Sequence, residues 1–128
     1  MSKILLVDDS MFSRSMIRKI VKEVGHEVIE AANGREGMDK IIKEKPDLVI
    51  SDLLMPEMDG IELLSAVKDE NIEVSVVVLS ANIQDTIRQQ CLELGASRVF
   101  NKPPNKEELQ NYIEENLINE GDLNVDIV

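Results

Sequence analysis

The sequence predicts an α/β fold in which a five-stranded parallel sheet is wrapped by crossover helices, and three observations carry that reading. Short apolar runs alternate with amphipathic segments along the whole chain. The best of the runs are continuous Val/Ile/Leu stretches, as strands buried on both faces require. Glycines close helical stripes in the position favoured just past a helix end. A length of 128 residues with 43% apolar composition suits one domain with a proper core.

The first strand is Ile4 to Val7. A helix over Ser10 to Val24 follows, with Met16, Ile17, Ile20, Val21 and Val24 as its apolar stripe and Gly25 as its stop. Glu27 to Glu30 is the second strand, and the helix after it, capped by Asn33, carries the stripe Met38, Ile41 and Ile42. The third strand is Leu48 to Ser51, followed by a helix from about Gly60 to Lys68. Ser75 to Leu79 makes the fourth strand, and its helix runs from Ile83 to Leu94, ended by Gly95. Arg98 to Asn101 is the fifth strand. The last helix spans Lys106 to Leu117, where Asn105 and Glu108 have the spacing of a capping box. Residues 1–117 are therefore expected to form the domain and 118–128 a tail. A flexible terminus is the expectation for that tail; its alternation from Asp122 to Ile127 leaves strand addition to a partner's sheet edge as the alternative.

Charge narrows the function classes. With 14 basic against 25 acidic residues, a net of −11, the chain should repel phosphate backbones and anionic lipid, so neither direct nucleic-acid binding nor membrane attachment is expected. Cys91 is alone, which excludes an internal disulfide, and one Cys with one His cannot build a zinc site. Any metal must be oxygen-ligated. His26 and Cys91 are assigned to packing or surface. The opening apolar run is too short for a signal-peptide core, and no stretch approaches the roughly 20 apolar residues of a membrane span, so a cytoplasmic protein is expected.

Four polar features fall at the carboxyl ends of predicted strands: Asp8-Asp9 after the first, Asp52 after the third, Ser80 after the fourth and Lys102 after the fifth. In open α/β sheets ligands bind at that edge, where the strand order reverses. If the order is 2-1-3-4-5, the reversal lies between the strands carrying Asp8-Asp9 and Asp52. Three converging carboxylates repel one another unless a cation sits among them, and magnesium suits oxygen ligands shared with a phosphate. An ionised Asp52 can attack phosphorus directly, with Lys102 as a point cation and Ser80 as a hydrogen-bonding hydroxyl. Taken singly, each feature has a plainer explanation. Asp8-Asp9 could cap a helix, Asp52 to Pro56 could be a strand end and turn, Ser80 could be a cap, and Lys102 a solvated charge. Their collection at one sheet edge is what those explanations lack.

At these residues the chain resembles the receiver domains of two-component response regulators, most closely the single-domain, CheY-like chemotaxis type. The resemblance spans about Lys3 to Leu117. It rests on Val7-Asp8-Asp9-Ser10, on Asp52 through Gly60, on Leu79-Ser80-Ala81 and on Lys102-Pro103, in family order and spacing. It implies a flavodoxin-like (βα)5 fold, a phosphoacceptor at Asp52, and magnesium held by Asp8, Asp9, Asp52 and the backbone carbonyl of Leu54. It further implies phosphoryl contacts from Ser80 and Lys102, and a cis peptide before Pro103. Implied partners are a histidine kinase as donor and a downstream target protein, with a chemotaxis or flagellar motor component as the candidate, met by a monomer or weak dimer. Two departures stand out. Val99 occupies the position where the family commonly has a switching Tyr or Phe, and the neighbouring Phe100 faces the opposite side of the strand. Pro104 replaces the Phe that often follows Lys-Pro. Leu54 and Asn82 flank the site and are expected to influence water access.

Other classes fit less well. A phosphohydrolase of the haloacid-dehalogenase type would place two aspartates one residue apart, and a nucleotide or flavin binder would show a Gly-rich loop or more aromatics. A phosphorylation-independent adaptor would not need the acidic pair, acceptor, hydroxyl and lysine together. A phosphate sink remains open as an alternative.

Overall fold

The computed structural model describes residues 2–81 and 84–117. Five parallel strands, β1 (Lys3–Val7), β2 (Glu27–Ala31), β3 (Leu48–Asp52), β4 (Ser75–Ser80) and β5 (Arg98–Asn101), lie in the order β2-β1-β3-β4-β5. The crossovers are α1 (Met11–Glu23), α2 (Gly34–Glu44), α3 (Gly60–Asp69) and α4 (Asp85–Glu93), and α5 (Lys106–Asn116) closes the domain. This is the flavodoxin-like arrangement expected from the sequence. The tail and its possible strand lie outside the described residues, as do Asn82 and Ile83.

Strand periodicity divides the core into two layers. Leu5, Val7, Val49, Val76, Val78 and Val99 face one side, where Met38, Ile41, Leu63, Leu64, Val67 and Cys91 cover them. Ile4, Leu6, Ile50, Val77, Leu79 and Phe100 face the other, against Ile17, Ile20, Val21, Leu109, Tyr112 and Ile113. Val99 and Phe100 thus fall on opposite faces, and Phe100 meets Tyr112 edge to face at 5.6 Å.

Local signals set the helix starts. Ser10, Asn33, Asp59 and Asn105 each accept a backbone N–H of the first turn. The reciprocal capping box is at α3, between Asp59 and Glu62, and not at α5. At α5 Asn105 does accept the Glu108 N–H, but the Glu108 carboxylate pairs with Arg98 at 2.9 Å. Helix α4 starts at Asp85, later than its sequence pattern suggested, and buries only Cys91. The stripe expected for α2 is also corrected: Ile42 is 56% exposed, and the buried face is Gly34, Gly37, Met38 and Ile41. Those positions are spaced i, i+3, i+4 and i+7, and Ile42 lies about 100° beyond Ile41 around the helix.

Gly34 is where α2 meets the loop between β3 and α3. Its N–H donates to the Met58 carbonyl at 3.0 Å, and a Cβ there would lie 2.1 Å from the same oxygen. Gly34→Ala should therefore push that loop away and destabilise the fold by about 2–3 kcal/mol in urea unfolding. Gly37→Ala, whose Cβ would press on a Val7 methyl at 2.9 Å, should cost less. Equal stability of the Gly34 variant and the parent would contradict the close approach.

Candidate functional site

The parallel registers build the site. Val7 pairs with Ser51 and Asp52 pairs with Leu79, so Asp8 and Asp52 leave adjacent strands side by side at the carboxyl edge. This is the switch point of a 2-1-3-4-5 sheet, where β1 connects outward to β2 and β3 lies on its other side. Ser80 ends β4, and Lys102 follows β5, its N–H donating to the Ser80 carbonyl at 2.9 Å. The peptide between Lys102 and Pro103 is cis.

Asp8, Asp9 and Asp52 can each bring one carboxylate oxygen within 4.8 Å of the others. Asp8 and Asp52 are buried and Asp9 is exposed. Asp52 is held at both oxygens: Oδ1 accepts the Leu53 N–H at 2.9 Å, and Oδ2 accepts from Lys102 Nζ at 2.8 Å. Asp8 Oδ1 accepts the Ser10 N–H at 2.9 Å. Its Oδ2 forms an ion pair with Lys102 Nζ at 3.0 Å and has no other polar partner among the described residues. One ammonium therefore faces two buried carboxylates.

The electrostatics follow from that count. Burial pushes the Asp52 carboxyl above its ordinary value, the Lys102 hydrogen bond opposes the shift, and the charge on Asp8 adds to it. Burial alone would lower Lys102, but its contacts with Asp52 and Asp8 together outweigh that and raise it. The ammonium is locked in its charged form while carboxylate charge is left over. An all-oxygen donor set in which two buried carboxylates share a single ammonium fits a hard divalent cation.

Around these charges lies a cleft of about 540 Å³, bounded by Phe12, Met16, Leu54, Ser80, Ile87 and Pro103. Phe12 and Leu54, which line it, are 80% and 75% exposed and form an apolar rim; the sequence marks Leu54 as flanking the site but gives no such signal for Phe12. Met16, read from the sequence as core stripe, lines this cleft instead. Leu54 sits in the loop after β3, two residues past Asp52. Cys91 is buried in the core, and buried His26 accepts the Ser2 N–H at 3.3 Å, so both serve packing as expected. No helix among the described residues is long and apolar enough to cross a membrane.

A switch-point acidic cluster paired with a lysine on a five-stranded sheet defines the receiver class, and the comparisons agree. The chain belongs to the response regulator receiver domain family, whose model matches residues 4–114. It is a CheY-like receiver domain of two-component signalling. It is 38% identical over 117 residues to sporulation initiation phosphotransferase F of Bacillus subtilis, covering 90% of this chain and 93% of that protein. It is 41% identical over 104 residues to chemotaxis protein CheY of Listeria monocytogenes, covering 80% and 87%. Vibrio cholerae CheY4 superposes with a TM-score of 0.84 at 34% identity, covering 91% of this chain and 99% of that one. Receiver domains are signalling switches that take a phosphoryl group from histidine kinases, bind magnesium at an acidic pocket and act on downstream targets.

Proposed function

We propose that this chain is a magnesium-dependent switch that accepts a phosphoryl group from a histidine kinase on Asp52 and then alters its affinity for a partner protein. The observation that supports it most is the Lys102 ammonium set between Asp52 and Asp8, at 2.8 and 3.0 Å. Asp52 Oδ attacks phosphorus, the bond from phosphorus to the donor's imidazole nitrogen breaks, and the electron pair stays on that imidazole. The Leu53 N–H and Lys102 hold the carboxylate in one orientation before a donor arrives, which is most of what phosphoryl transfer asks of a protein. Ser80, at the end of β4, supplies a hydroxyl to a phosphoryl oxygen. Asp8, Asp9, Asp52 and the Leu54 carbonyl would hold magnesium, which when bound neutralises charge on the phosphoryl oxygens.

The apolar rim fits a macromolecular donor better than a small one, because exposed apolar surface beside a site marks a docking face. Phe12→Ala should slow phosphorylation by the cognate kinase about 10-fold while leaving acetyl phosphate as donor unaffected. Equal slowing with both donors would remove the docking role. On the output side, buried Val99 offers no ring to rotate, and α4 is held by one fully buried side chain, Cys91, with Ile87 only partly buried against the core. Movement of α4 and the loop after Ser80 is therefore the proposed coupling, a population shift between two arrangements.

Likeness over nearly the full length to a protein named a phosphotransferase favours a second reading, in which the group on Asp52 is passed onward to another protein. The basic test is intact-mass measurement after incubation with magnesium and acetyl phosphate. A gain of one phosphoryl group, lost in EDTA, is expected; no gain with magnesium present would refute the switch. Onward transfer to a histidine phosphotransfer protein would separate relay from terminal output.

A further inference from the structure

We propose that Arg14, braced by Glu30, is a positioning residue for the metal site, fixing the turn at Asp8 and Asp9 and so setting how tightly a divalent ion is held. The inference rests on the reading of Asp8 and Asp9 as ligands. Asp9 is exposed and has no side-chain hydrogen bond to the described residues, so its placement depends on its backbone. That backbone starts at the Asp8 carbonyl, because the carbonyl of one residue and the N–H of the next share one rigid plane.

Arg14 Nη1 donates to this carbonyl, while its Nε donates to Glu30 Oε1 at 3.1 Å. The side chain of Arg14 is 14% exposed, and its planar fork makes both bonds with little freedom left to lose. Glu30 is itself immobilised: Arg18 takes its other oxygen at 2.6 Å, and Lys40 donates to its backbone carbonyl. From the other side the Asp8 N–H donates to the Ala31 carbonyl at 3.1 Å. The end of β2, which carries no proposed ligand, thus grips the Asp8 peptide through both its strand edge and the Glu30 side chain. Groups behind metal ligands of this kind change metal affinity by about 10- to 100-fold when removed.

The sign of the effect separates positioning from plain electrostatics. Losing a cation near an acidic cluster should by itself tighten divalent binding, whereas losing the brace should weaken it. Magnesium titration calorimetry on the full chain should show about 10-fold weaker binding for Arg14→Gln and a smaller weakening for Glu30→Gln. Arg18→Gln, which removes the same charge and also touches Glu30 but not Asp8, should bind magnesium as well as the parent or slightly better. In EDTA, amide exchange of Ser10, whose N–H is bonded to Asp8 Oδ1, should speed up in Arg14→Gln and not in Arg18→Gln. Equal magnesium affinity in the Arg14 and Arg18 variants, or an unchanged Ser10 amide, would overturn the proposal. A parent protein that takes no magnesium would instead sink the ligand reading, and the Ser10 amide would still judge the brace.

Discussion

Asp52→Asn should abolish phosphorylation, reducing the rate with either a kinase or acetyl phosphate by about 10³-fold or more, to background. The amide keeps the shape and a carbonyl oxygen but has no carboxylate lone pair to attack phosphorus. The same substitution should raise the melting temperature of the metal-free protein at neutral pH. Because burial, opposed by Lys102 and reinforced by Asp8, sets the Asp52 carboxyl above its ordinary value, the folded state binds its proton more tightly than the unfolded chain does. Stability therefore falls as pH rises from the unfolded value through the folded one, and above that window the ionised carboxylate opposes folding. Melting in EDTA with lowered stability for the Asn variant would show that the carboxylate is at ease where it sits.

Lys102→Met should produce three effects that do not run in parallel. Phosphorylation should slow about 10²-fold, the usual loss when one preorganised partner of developing charge is removed. In EDTA the fold should lose about 2 kcal/mol, since two buried carboxylates are left facing each other without their ammonium. Magnesium should bind more tightly than in the parent, because the competing cation beside Asp8 and Asp52 has gone. Stability in saturating magnesium should accordingly recover most of the loss. Weaker magnesium binding in this variant would mean that Lys102 organises the acidic cluster rather than competing for it.

Much of this arrangement can be read from residue order alone, because strand ends are local signals and parallel topology carries them to one edge. Asp8, Asp52, Ser80 and Lys102 each follow an apolar run, and registers such as Val7 with Ser51 turn that into proximity. Glycine in a helix hides information from a hydrophobic pattern. Gly34 and Gly37 occupy the buried face of α2, so Ile42 completes a stripe on paper while it is exposed in the fold. The spacing of Asn105 and Glu108 suggests a capping box, yet the identical spacing in Asp59 and Glu62 is where both hydrogen bonds form, since Glu108 is drawn to Arg98. The apolar rim is not legible in sequence because Phe12 on α1 and Leu54 after β3 are far apart in the chain, and only the folded chain shows that they border one cleft. The link from Glu30 through Arg14 to Asp8 is likewise invisible in sequence, as it needs the depth of α1 against β2.

The most direct measurement is anomalous diffraction from crystals grown with manganese in place of magnesium, carried out with and without beryllofluoride. One manganese ion should lie among the carboxylates of Asp8, Asp9 and Asp52 and the Leu54 carbonyl, with beryllofluoride bonded to Asp52 and Lys102 turned toward its fluorines. Manganese bound elsewhere on this acidic surface, with Asp52 unmodified, would contradict a phosphoryl switch built at this sheet edge.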